Sequence, residues 1–364
     1  DWELCKLKEI VDVRSGRDYK HLGSGNIPVY GTGGYMLSVS EALSYDEDAI
    51  GIGRKGTINN PYILKAPFWT VDTLFYAIPK NNFDLNFIYS IFRKINWKSK
   101  DESTGVPSLS KTTINAVTVY IPSGSEQQRI GEFFKQIDNT ITLHQRELDQ
   151  LKELKKAYLQ LMFPVKDERV PKLRFADFEG EWEQCKFFDM WEKSSDRNKE
   201  LKYSSKDVLS VAKMTKNPVE RNSSDEYMKT YNILHYGDIA FEGNKSKDYS
   251  FGRFVLNNLQ DGIVSHVFIV FKPKVKMDID FMKVYINNEY FMKHHLVKAT
   301  TKTLMMTTLN VQDMNKQKLR IPSLNEQERI GKFFKELDHA ITLHQNKLTQ
   351  LKSLKKSYLQ NMFI

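Results

Sequence analysis

Ile121–Phe163 reads IPSGSEQQRIGEFFKQIDNTITLHQRELDQLKELKKAYLQLMF, and 200 residues later Ile321–Phe363 reads IPSLNEQERIGKFFKELDHAITLHQNKLTQLKSLKKSYLQNMF. Without a gap, 29 of the 43 positions are identical, so this is a duplicated unit and not a shared composition. Each copy predicts one long helix. Pro122-Ser123 and Pro322-Ser323 stop a preceding strand, and a first turn rich in Glu and Gln suits the positive end of a helix. No proline interrupts Glu126–Met162, and its one glycine, Gly131, lies near the start. At 1.5 Å per residue the helix would run about 55 Å.

The apolar spacing says what each helix packs against. Ile130, Phe134, Ile137, Ile141, His144, Leu148 and Leu151 follow alternating steps of four and three. Ile330, Phe334, Leu337, Ile341, His344, Leu348 and Leu351 keep the same register. That is a seam for another helix, and the other copy is the obvious partner. The flanks carry Lys, Gln and Glu, as solvated faces do. The plainer alternative is that each helix serves only the core of its own domain. His144 and His344 fall on the seam, where a half-buried histidine bonded to a neighbouring group is expected. A polar seam residue can also fix register. No Cys, second His or carboxylate pattern beside either residue suggests a metal, so neither is assigned to chemistry.

A chain of 364 residues allows two or three domains with full cores. Hydrophobic content of 40% and charged content of 27% are those of a soluble globular protein. No run of 18 apolar residues suggests a membrane span, and no signal peptide is visible. The chain opens at Asp1, so residues are expected to precede it. Cys5 and Cys185 are too few for a disulfide framework or a structural zinc site, which suits a reducing cytoplasm. Both lie in a repeated context, Trp2-Glu3-Leu4-Cys5-Lys6 and Trp182-Glu183-Gln184-Cys185-Lys186. A net charge of +9 is compatible with a polyanionic partner, a modest signal by itself.

Residues 1–122 form a first domain, in which short apolar runs (27–36, 48–56, 68–80 and 116–123) are separated by glycine-rich turns. Leu85–Lys98 reads as an intervening helix. The long helix occupies 123–163, a polar linker with prolines at both ends occupies 164–172, a second domain 173–322, and the second long helix 323–364. The fold class expected is α+β: two strand-rich mixed α/β domains alternating with two long helices. The domains repeat only faintly. Asp48–Gly56 has a counterpart in Asp238–Ser246, Ala77–Lys80 in Phe271–Lys274, and Ser103–Ser110 in Thr300–Thr307. A duplicated scaffold with two diverged heads suggests two different targets.

Gly51-Ile-Gly-Arg-Lys-Gly56 matches a dinucleotide-binding pattern, but the following Thr57-Ile-Asn-Asn-Pro-Tyr cannot start the helix that pattern needs. Asn60-Pro61-Tyr62 is similar to the Asn-Pro-Pro-Tyr loop of amino-methyltransferases but lacks its second proline. No other catalytic or metal motif is present, so no cofactor or metal is expected in this chain. What the loops do carry is Arg, Lys, Asn, Ser, Thr and Tyr among glycines, the groups that bond phosphates and base edges. The DNA-contact candidates of the first domain are Arg17, Tyr19, Lys20, Thr32, Tyr35, Arg54, Lys55, Thr57, Ser103, Thr104 and Ser108. Those of the second are Asn244, Lys245, Ser246, Lys247, Tyr249, Arg253, Ser265, His266 and Lys302.

On these residues the chain resembles the specificity subunit of type I restriction-modification enzymes. The resemblance rests on Glu126-Gln127-Gln128-Arg129-Ile130 and Glu326-Gln327-Glu328-Arg329-Ile330, and on the Leu-Lys-x-Leu-Lys-Lys-x-Tyr-Leu-Gln-x-Met-Phe endings at 151–163 and 351–363. Gly53–Ile58, Phe68–Phe75 and Gly105–Ser110 look like one variety of target-recognition domain. The resemblance implies two target-recognition domains that each read half of a bipartite double-stranded DNA site. It implies that the helices pair as an antiparallel coiled coil that sets the spacing. It also implies partners: two modification (methyltransferase) subunits carrying S-adenosylmethionine, and restriction subunits using ATP and Mg. A 55 Å helix equals about 16 base pairs, so heads at its two ends would meet DNA about one turn or a little more apart.

The function expected is therefore that of a non-catalytic, cytoplasmic DNA-recognition subunit with no membrane partner. The rivals are a self-contained methyltransferase or nuclease, and a coiled-coil scaffold that binds protein and not DNA. Whether the helices pair within one chain or between chains is left open by the sequence.

Overall fold

The computed structural model describes residues 2–217, 224–244, 246, 248–302 and 306–363. The chain forms two compact units, residues 1–146 with 344–364, and residues 147–343. In the first, a four-stranded antiparallel sheet runs in the order Val11–Ser15, Leu74–Pro79, Ala49–Gly53, Tyr62–Leu64. Its two central strands, AIGIG and LFYAIP, read as continuous apolar runs because both faces are covered. Side chains alternate across the sheet. Ile50, Ile52, Phe75 and Ala77 face the helix Leu85–Lys94, while Ala49, Tyr76 and Ile78 pack on Phe68. A second sheet orders Gly34–Val39, Ser24–Gly31 and Trp69–Thr70, and Glu3–Lys6 pairs with Thr118–Ile121.

The helix expected over Leu85–Lys98 stops at Lys94. Asn96 caps a separate turn of 3-10 helix, Trp97–Lys100, and the buried Trp97 indole N–H donates to the Phe92 carbonyl at 2.8 Å. Burying that one large ring pulls the chain back out of line with the helix.

The second unit repeats the architecture with different residues. Its four-stranded sheet runs Trp191–Lys193, Ile269–Pro273, Ile239–Glu242, Arg253–Leu256, the same order as in the first. Glu183 pairs opposite Ile321 as Glu3 pairs opposite Ile121. The ladders correct the faint sequence repeat by one residue. Ile50 lies opposite Ala77, and Ile239 opposite Phe271, so Lys55 corresponds to Asn244 and not to Lys245. The bridges Lys55–Ser108 and Asn244–Met306 keep that register. Just past the linker expected over 164–172, the entry to the second domain is tied to the second long helix. Arg174 forms a two-pronged ion pair with the buried Glu326 at 2.7 Å, and the Trp182 indole N–H donates to the same carboxylate.

The long helices span Gly124–Leu161 and Leu324–Asn361, 38 residues each, or about 57 Å. Their duplicated openings have a mechanical explanation. Glu126 accepts from the Trp2 indole at 3.3 Å, as Glu326 does from Trp182. Gln127, buried, donates to the Pro122 carbonyl at 3.0 Å and accepts from the Asp84 N–H at 3.4 Å. Gln327 makes the same bonds to Pro322 (3.0 Å) and Asp278 (3.1 Å). Asp84 and Asp278 in turn cap the head helices Leu85–Lys94 and Ile279–Asn287. Gly131 and Gly331 are glycines because a Cβ there would collide with those two capping carboxylates.

Within each unit the start of one long helix meets the end of the other. In the first, Phe133 sits edge-on to Tyr358 at 5.0 Å and Phe134 stacks on Phe363 at 5.9 Å. In the second, Phe333 meets Tyr158 at 4.9 Å and Phe334 meets Phe163 at 5.8 Å. The pairing is thus antiparallel and made within one chain. Ile130, Phe134, Leu148, Ile330, Phe334, Leu337 and Leu348 are buried, whereas Ile137, Ile141, His144, Leu151, Ile341, His344 and Leu351 are half-buried. Ile130, Phe134, Ile330 and Phe334 also close the cores of the heads, so the seam and the plainer core role coexist. Further along, the helices have less to bury against, and among the seam residues from Ile141 and Ile341 onward only Leu148 and Leu348 are buried.

Candidate nucleic-acid interface

In the first unit the segment Thr70–Leu74 is a hub that gathers the candidate loops by its backbone. The Thr70 carbonyl accepts from the Arg17 N–H at 2.8 Å, and the Trp69 indole donates to the Arg17 carbonyl at 2.9 Å. The Thr73 carbonyl accepts from the N–H groups of Arg54 and Lys55, and the Val71 N–H donates to Tyr30 beside the Thr32-Gly33 turn. The Gly53–Gly56 loop is also zipped to a second strand-like run. Gly56 donates to Pro107 (2.8 Å) and Leu109 to Arg54 (2.9 Å). Apart from the Trp69 indole, these bonds use backbone only. The side chains of Arg17, Lys20, Tyr35, Arg54, Lys55, Thr57 and Thr104 are left exposed. Tyr19 and Thr32 are half-buried, Tyr19 among Val29, Trp69 and Leu74.

Asp101 organises the third loop. Its carboxylate accepts from the N–H groups of Ser103 and Ser108 and from the Ser103 hydroxyl, all at 2.8–2.9 Å. Those hydrogen bonds, Ser108 first, hold its carboxyl below the usual range. Ser103 and Ser108 therefore shape the loop that presents Thr104, Gly105 and Val106.

The second unit repeats the zipper, since Thr307 donates to the Gly243 carbonyl at 2.8 Å and Asn244 bridges Met306. Asn244, Ser246 and Lys302 are exposed, with the Lys302 ammonium 3.6 Å from the Phe251 ring centre. Lys245 and Lys247 lie outside the described residues. Arg253 is taken up by the fold. It bonds the buried Glu242 at 2.7 Å and the Ala212 carbonyl at 2.8 Å, and it stacks on Tyr249, whose hydroxyl donates to Asn287. Ser265 is half-buried. His266 is exposed and lines a shallow groove of about 430 Å³ with Arg197, Lys199, Lys229 and Thr230. Those three cations escaped the sequence reading because no glycine-rich pattern marks them. Only folding brings 197–199 beside 229 and 266.

What this arrangement can do is hold a polyanion: cations and small hydroxyls stand on loops pinned largely by their backbones, with Arg17, Lys20, Arg54, Lys55, Asn244, Ser246 and Lys302 exposed. Against known families, residues 1–153 and 179–353 match the family described as the type I restriction modification DNA specificity domain. The chain belongs to that family. The two matched stretches each take in one strand-rich head and most of the long helix that follows it.

A curated relative is the type I restriction enzyme MjaVIII specificity subunit of Methanocaldococcus jannaschii, 24% identical over 212 residues. That match covers 48% of either chain, so this specificity-domain chain spans about half the length of its relative. Among solved structures, the S subunit of a type I restriction-modification system from M. genitalium superposes with a TM-score of 0.68 at 11% identity, covering all of this chain and 96% of that one. A chain from a study of assembly and conformational transition of the type I system gives 0.52 at 12% identity, over 99% and 96%. At such identities the likeness is one of fold. No helix among the described residues is long and apolar enough to cross a membrane.

Proposed function

We propose that this chain is the DNA-recognition subunit of a type I restriction-modification complex and is not itself catalytic. The head of residues 1–122 reads one half of a bipartite site through the loops of Arg17, Arg54, Lys55 and Thr104. The head of residues 173–322 reads the other through those of Asn244, Ser246, His266 and Lys302. Arg and Lys hold phosphates, while Ser, Thr and Asn serve base edges more often. The paired helices set the spacing and offer a docking surface to two modification subunits, which supply S-adenosylmethionine. Restriction subunits bring ATP and Mg. Each head alone binds weakly, and joined rigidly the two reinforce each other through effective concentration.

The observation that carries this reading is the doubled match to a DNA specificity domain, once per head. To test it, the chain is expressed with its neighbouring modification subunit in a methylation-free host and modified adenines are mapped genome-wide. One split motif is expected, modified on opposite strands of its halves. Exchanging residues 173–322 should change one half only. No new methylation from soluble, associated chains would overturn the proposal, and methylation by this chain alone would overturn its non-catalytic part.

A further inference from the structure

His144 and His344, 200 residues apart in sequence, meet at the middle of the helix pair. Their Nδ1 atoms stand 3.3 Å apart, with the rings edge to face and half-buried. Two imidazole nitrogens about 2.05 Å from one tetrahedral ion stand roughly 3.3 Å apart as well. A direct N–H···N bond at that distance is long, and it demands opposite tautomers of two otherwise equivalent rings. Glu147 lies one turn beyond His144 on the same helix, and residues three apart share a face. The second copy has Lys347 at the matching position, so the carboxylate comes from one helix only. Among the described residues, the one group of metal-ligating type is built on this pair.

We propose that His144 and His344 bind one divalent ion of the imidazole-favouring kind, zinc first, with Glu147 as third ligand and water as fourth. Neutral imidazole and carboxylate suit Zn²⁺, and three protein ligands plus water is a familiar zinc set. The ion would staple the two long helices at one register. This inference does not depend on the DNA reading: the staple could exist whatever the heads bind.

The test uses the full chain, stripped of metal and titrated with Zn²⁺ in a calorimeter. One ion per chain is expected, with a melting temperature raised by roughly 5 °C at a hundredfold excess over Kd. His144→Gln and His344→Gln should each abolish stoichiometric binding, and Glu147→Gln should weaken it tenfold or more. His294→Gln, in a separate histidine pair, should leave it unchanged. Should a variant fail to fold, electron paramagnetic resonance of the Cu²⁺-loaded wild type decides, because it counts coordinated imidazole nitrogens. Two nitrogens would support the staple. No stoichiometric ion in the wild type, binding undiminished in His144→Gln, or fewer than two nitrogens would overturn it.

Discussion

Lys355 Nζ donates to Asp138 at 2.5 Å across the helix pair, and Lys155 makes the same bond to Asp338. Positions 138 and 338, like 155 and 355, are the same position in the two copies, so one contact is made twice with the roles exchanged. An antiparallel pairing of two copies of one helix, with Asp and Lys kept at these positions, produces that reciprocity. The Lys355 side chain is only 12% exposed, which separates this pair from a solvent-screened surface bridge. A double-mutant cycle on Asp138→Ala and Lys355→Ala should give a coupling of about 1–2 kcal/mol, above the 0.2–1 typical of exposed pairs. Chemical denaturation of the two single variants and the double variant measures it.

Gly131→Ala and Gly331→Ala should each destabilise the protein despite alanine's better helix propensity. The gain is about 1 kcal/mol, whereas overpacking against the Asp84 or Asp278 cap costs about 1–3 and displaces a helix start. Thermal denaturation should show a drop of several degrees, and an increase would refute the docking role of these glycines.

Arg54→Ala and Lys55→Ala should each weaken DNA binding and reduce the slope of log K against log salt by about 1. Arg253→Ala should behave differently. It leaves Glu242 buried and unpaired, a loss of roughly 3 kcal/mol, with no change in that slope. Binding titrations over a salt series, set beside melting curves, separate the two kinds of arginine.

The buried His295 imidazole is pushed down to about 3, first by burial and then by the neighbouring His294. The unfolded chain takes up this proton near pH 6.5 and the folded chain does not, so stability is full above about 6.5 and falls as pH drops towards 3. Asp238, raised to about 6 by burial, opposes this, because its protonated form favours the folded state below about 6. His295→Gln should therefore flatten the acid side of the stability profile, and Asp238→Asn should steepen it by removing the opposing group. Denaturant midpoints between pH 4 and 7.5 check both signs.

The long helices were legible from sequence because alternating steps of four and three and a gapless repeat with 29 of 43 positions identical are local signals. The central strands were legible as apolar runs between glycines. Part of the candidate interface was legible too, since Arg54 and Lys55 sit in a loop whose glycines advertise it. Arg253 looked equivalent in sequence, but its guanidinium is committed to Glu242. That difference depends on which strand lies alongside, a question of register that a one-residue shift reverses.

By itself, then, the sequence determined the α+β class, the doubled helix and the family, all carried by patterns within some forty residues. Only the tertiary structure decided which residues meet across long separations: Asp84 over Gly131, Lys355 on Asp138, Arg197 beside His266, His144 against His344. Such contacts are bought with the loop-closure entropy of the whole intervening chain. They depend on the packing of everything between, which no local pattern records.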